Sequence, residues 1–126
     1  MDKVQARQLA ETVAWGRIAI GITALVAPTL PLRPWVGRDF AWQPRAKLLA
    51  RSLGARDLAL GVGVILALKK DAPVRGWIEG SGVADAGDEL STLLAFGKLP
   101  KRGRWLVLVS AAGAAATARI AAPAVD

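Results

Sequence analysis

Four apolar stretches run through this chain, and two of them hold charged residues near their middles: Arg56-Asp57 in the second, Asp85 and Asp88-Glu89 in the third. An apolar stretch of about 20 residues makes a helix of about 30 Å, the thickness of the hydrocarbon core of a bilayer. An ionisable group inside such a helix costs roughly 2.5–3.5 kcal/mol on insertion scales, so it needs a partner inside the protein. Together these demands predict an all-α fold: a four-helix transmembrane bundle with short loops and a charged interior seam.

Breakers and charges set the expected boundaries. The first helix is predicted over 7–27 and stopped by Pro28, Pro31 and Pro34, because proline lacks the backbone donor and clashes with the preceding turn. The second is predicted over 48–68, closed by Lys69-Lys70-Asp71, and the third over 74–96. A basic turn with Lys98, Lys101, Arg102 and Arg104 leads to the fourth, over 105–122. The whole chain, 1–126, reads as a single integral membrane domain. Ser81, Asp85, Asp88 and Thr92 form a polar stripe on the third helix, with Glu89 beside it. A helix so striped is the weakest of the four spans, and a soluble amphipathic helix, or one only half inserted, is the alternative. The connection 28–47 combines Trp35, Phe40 and Trp42 with Arg33, Arg38, Arg45 and Lys47, a mixture suited to headgroup depth. It reads first as an extended surface loop, with a short interfacial helix over 36–42 as the alternative.

Small residues recur on single helix faces: Ala10, Ala14, Arg17 and Gly21; Gly54, Asp57 and Gly61; Ser110, Ala114 and Ala118. Such faces allow close helix approach in a membrane. The candidate intramembrane charge network is Arg17, Arg51, Arg56, Asp57, Asp85, Asp88 and Glu89, with Arg17 and Arg56 expected to meet the Asp85/Asp88 stripe. A network of this kind can fix helix register, line a proton, ion or solute path, or dock against charges of a larger complex.

Composition narrows the chemistry. The chain is 53% hydrophobic and 21% charged, with a net charge of +7 and a mean hydropathy of +0.35. Cys, His and Tyr are absent, which removes thiol chemistry and the commonest general base and metal ligand. Ser52, Ser81, Ser91 and Ser110 have no His to activate them, and Gly61-x-Gly63 falls in a helical run rather than a phosphate loop. Asp85-x-x-Asp88-Glu89 could offer carboxylates to Mg²⁺, but i, i+3 spacing alone is a weak signal. The reading is therefore not an enzyme, with no catalytic residues, no cofactor and no metal site.

The Lys and Arg residues lie between apolar stretches rather than along one groove-binding face, so no nucleic acid is expected. They point to membrane lipids instead. Glu11 and Arg17 interrupt the first stretch as a cleavable leader. Cations after the first and third helices outnumber those on the other side, which by the positive-inside rule puts the termini outside the cytoplasm.

The wording Arg51-Ser-Leu-Gly54-Ala-Arg56-Asp57-Leu-Ala-Leu-Gly61, followed by Ala84-Asp85-x-x-Asp88, resembles a family of small bacterial four-helix membrane proteins of unknown function. Pro28 or Pro34, and Gly37, are similar to its turn after the first helix. The resemblance covers roughly 12–120 and implies a four-helix integral membrane fold in a bacterial plasma membrane. It implies no activity. The expected function is an accessory or structural subunit of a membrane complex, with other membrane subunits or further copies of itself as partners. The alternative is an oligomeric transporter or ion/proton-path component using Asp85 and Asp88.

Overall fold

A computed structural model describes residues 1–126, and it is all-helical. The helices are α1 (Lys3–Val26), α2 (Thr29–Val36), α3 (Arg38–Ala41), α4 (Pro44–Lys69), α5 (Arg75–Leu94) and α6 (Lys101–Ala121), with one 3₁₀ turn at Phe96–Lys98.

Local chemistry explains the ends. Asp2 and Gln5 form a capping box that starts α1, each side chain accepting from the other's backbone N–H. Pro44 opens α4 at a position where its missing donor is not needed. Arginines satisfy several loose carbonyls. Arg51 Nε donates to the Leu25 carbonyl at the end of α1, and Arg7 Nη2 donates to the Leu68 carbonyl near the end of α4. Arg104 does the same for Phe96 beyond the end of α5.

Two predictions are corrected. Only α1 is long and apolar enough to cross a membrane, and a core helix or a leader can share that composition. Six helices with a single candidate span do not make a four-helix transmembrane bundle. The physical reason is charge density: α4 carries Arg45, Lys47, Arg51, Arg56, Asp57 and Lys69, and α5 carries Arg75, Glu79, Asp85, Asp88 and Glu89. In α6 the apolar run Leu106–Val109 is diluted by alanine, glycine and Arg119. The multi-pass reading and the orientation drawn from loop cations lose their premise with it.

The second correction is the connection 28–47, which is mostly helical rather than extended. Pro31 sits in the first turn of α2, where its nitrogen has no helical acceptor to lose. Gly37, at φ 94° and ψ 158°, then separates α2 from α3 in a backbone region open essentially to glycine.

The four long helices alternate in direction. α1 packs along α4, α5 packs along α6, and the two pairs meet mainly through α1 with α6 and α4 with α5. One apolar core gathers Ala6, Ala10, Ala14, Val64, Ile65, Ile78 and Ala118 at the end where α1 begins. A second, built from Leu32, Ala41, Ala46 and Ala50, sits under the short helices. Charged residues occupy the interior between them.

Candidate functional site

Five of the predicted residues converge in one chain of alternating charge. Arg17, only 8% exposed, reaches from α1 toward both neighbours. Its Nη1 donates to Asp57 Oδ1 on α4 at 3.0 Å, and its Nη2 donates to the Asp85 carboxylate and the Ser81 carbonyl on α5. Arg56 on α4 grips Asp88 on α5 with two parallel hydrogen bonds, of 3.0 and 2.7 Å, and its Nη2 also donates to Asp57 Oδ1 at 3.3 Å. The order Asp85–Arg17–Asp57–Arg56–Asp88 therefore leaves α5, crosses α1 and α4, and returns to α5. Paired guanidinium–carboxylate bonds of this geometry are the strong kind, and their direction ties three helices into one register.

Adjacent residues Arg56 and Asp57 touch although they lie about 100° apart on the helix. The long guanidinium arm swings back along α4 while still holding Asp88. Arg51 and Glu89 stand outside the network. Arg51 is exposed and caps α1, and Glu89 makes no ion pair.

Burial and charge pull these groups in opposite directions. Burial pushes the Asp85 carboxyl above its ordinary range, and the hydrogen bond from Arg17 only partly restores it. The hydrogen bonds to Asp88 hold the Arg56 guanidinium more firmly protonated than usual, against the effect of its burial. Two guanidinium groups face three carboxylates, so the network carries one carboxylate in excess. No cluster of three or more acidic side chains is placed to hold a metal ion.

Beside the network lies a cavity of about 450 Å³ between the two helix pairs. Arg17, Arg56, Asp57, Asp85 and Asp88 line its charged side, and Ile20, Leu53, Leu106, Val107 and Ala111 line its apolar walls. Pro31, Leu32 and Trp35 of α2 close one end. A separate void of about 20 Å³ lies beside Ser81, whose buried Oγ has no hydrogen-bond partner; it has room for about one water.

Sequence reasoning set Trp35 at a membrane interface, whereas its ring lines the cavity and its Nε1 donates to Thr92 Oγ1 at 3.1 Å. Thr92, nearly fully buried, passes the connection on by donating to the Asp88 carbonyl. The available signal was Thr92 itself, a polar residue on the stripe with no charge partner, which needed a donor from elsewhere.

Against known proteins, the chain matches no family model, no curated protein and no solved structure.

Proposed function

We propose that this chain is an accessory or structural subunit of a membrane-protein complex, held at the bacterial plasma membrane by an apolar exterior. One observation carries the reading: far more large apolar side chains are exposed than buried. Buried positions hold mostly alanine and glycine, with Arg17 and Asp85 of the charge network, while Leu94, Val26, Val83 and Val109 are exposed by 82%, 75%, 74% and 69%. Trp15, Leu48, Leu49, Leu90, Trp105 and Ile120 face outward on the four long helices as well. Exposed apolar surface on this scale is unfavourable in water and marks contact with lipid or with another protein. The single helix long enough to cross a bilayer, α1, presents Trp15, Ile22 and Val26 to that exterior.

A purely structural role suits the interior. Arg17, Arg56, Asp57, Asp85 and Asp88 are held in ion pairs with one another, and the chain has no His or Cys to serve as base or nucleophile. The resemblance of the Arg51–Gly61 and Ala84–Asp88 segments to four-helix membrane proteins of unknown function adds no activity.

The test is purification of a tagged full-length copy in mild detergent, reading the size and composition of the particle. Reproducible co-purification with defined membrane-protein subunits is the expected result. A monodisperse single chain recovered from the aqueous fraction without detergent would overturn the proposal.

A further inference from the structure

The cavity between the helix pairs has the dimensions of a small-molecule site, since such sites span roughly 300–1,000 Å³ and combine apolar walls with a few polar groups. Its polar side is unusual because the charges there do not cancel. Asp88 is fully engaged by both nitrogens of Arg56. Asp57 and Asp85 share Arg17, and they share it incompletely: hydrogen bonds reach Asp57 only through Oδ1 and Asp85 only through Oδ2. Each of these cavity-lining carboxylates thus keeps one oxygen unpartnered, and the Asp85 side chain is only 11% exposed. Neither free oxygen is sealed off, whereas the unpartnered atoms that are sealed among the lining residues are Arg17 Nε and Arg56 Nε, so a cation with N–H bonds entering the cavity can reach the carboxylates.

From the unpaired carboxylate oxygens, the single excess negative charge and the apolar walls, we infer that the cavity binds an amphipathic monocation: a primary ammonium on an apolar, preferably aromatic, body. The ammonium sits against Asp85 and Asp57 and brings the charge count to zero. The body lies along Ile20, Leu53 and Val107, with the Trp35 ring near enough to favour an aromatic or cationic neighbour. Anionic amphiphiles are rejected, because they would add a second unpaired negative charge to a cavity that already carries one. The inference concerns binding alone and does not depend on the subunit reading above.

Three probes with one body and different heads test it: 4-phenylbutylammonium, 4-phenylbutanol and 4-phenylbutanoate. They are titrated calorimetrically into the full chain purified in a maltoside detergent, against detergent blanks. The ammonium should bind at least about tenfold tighter than the alcohol, the difference expected for one charge-assisted hydrogen bond, and the carboxylate weakest of the three. Asp85→Asn should bring the ammonium to the level of the alcohol and leave the alcohol unchanged. Val107→Trp, which fills the cavity from its apolar wall, should weaken ammonium and alcohol together. Equal affinities for the three heads, preference for the anion, or absence of binding would overturn the inference. So would an Asp85→Asn protein that keeps the ammonium preference. If Asp85→Asn does not fold, Val107→Trp decides, and undiminished ammonium binding in that variant overturns the site.

Discussion

Gly21 of α1 and Gly54 of α4 face each other so closely that a Cβ on either would lie 2.7 or 2.8 Å from the other's carbonyl oxygen. The contact is reciprocal and backbone to backbone, so neither side can yield by turning a rotamer. Further along the same seam, a Cβ on Gly61 would meet the Ala14 carbonyl at 2.7 Å. This approach brings Arg17 within reach of Asp57.

Gly54→Ala should therefore destabilise the protein by about 1–3 kcal/mol, the usual effect of overpacking. Gly16→Ala is the contrast: nothing lies within 4 Å of its added Cβ, and it stands in the middle of α1. It should gain about 0.5–1 kcal/mol from helix propensity. Denaturant unfolding followed by circular dichroism, in one detergent for both variants, measures the opposite signs.

Arg17 and Asp85 are partners with unequal consequences. Removing the guanidinium in Arg17→Leu strands Asp85, a carboxylate with little exposure, leaves Asp57 only its longer bond to Arg56, and should cost about 3–5 kcal/mol. Asp85→Asn leaves Arg17 its bond to Asp57 and removes the excess charge, so its cost should be much smaller. The sign with pH follows from the raised carboxyl of Asp85. Its folded form binds a proton more readily than its unfolded form, so the stability it contributes is present at acid pH and declines as pH rises through the folded value. Asp85→Asn should remove that decline from a stability–pH profile. A double-mutant cycle on Arg56→Ala and Asp88→Ala should show coupling of about 0.5–3 kcal/mol. Additive effects there would mean that the bidentate pair contributes nothing.

Much of the helix placement was readable from breakers. Pro28 stops the first helix after Val26 and Lys69-Lys70-Asp71 closes the second long helix, but the last helix already begins at Lys101, so Lys101, Arg102 and Arg104 of the expected basic turn lie inside it. The number of crossings was not readable, because charge-bearing apolar runs look alike whether they pack inside a protein or meet lipid. Arg56 and Asp88 are separated by 32 positions, and only the crossing of α4 and α5 selects that pair. The α2 helix was missed because Pro31 and Pro34 suggest a broken chain. One of them falls in a first turn, where proline is tolerated, and only the start of the helix at Thr29 makes this evident.

Asp126 ties the end of the chain to the start of α5, its carboxylate accepting from the backbone N–H of Val74 at 2.8 Å and of Arg75 at 3.2 Å. The backbone hydrogen bond from Val74 holds that carboxyl below its ordinary value of 3.8. A depressed folded value means that the contribution is complete above pH 3.8 and is lost as pH falls through the lower, folded value. Amide exchange at Val74 and Arg75 should quicken, relative to the helix interior, as pH is lowered through that window. In Asp126→Ala the same two amides should exchange quickly at neutral pH, with the rest of α5 unchanged. Identical protection in the two proteins would show that the carboxylate does not cap the helix.

Trp35 and Thr92 make the only side-chain hydrogen bond between α2 and the long helices, and it positions the short helix over the cavity. Gly103 supports the same placement from α6, since a Cβ there would overlap the Pro34 backbone. Trp35→Phe keeps most of the ring's apolar area and deletes its donor. Thr92 still donates to the Asp88 carbonyl but loses the bond it accepted. The direct cost should be about 1 kcal/mol, since a hydroxyl that already makes one bond loses only a second. The larger effect should appear in the cavity. With α2 released, amides from Thr29 to Val36 should lose protection, while those of α4 around Asp57 should keep theirs. Thr92→Val should loosen α2 in the same way, because it removes the other partner of the same bond. If either variant leaves α2 protected, packing of Leu32 and the Gly103 contact hold the cover in place without the hydrogen bond.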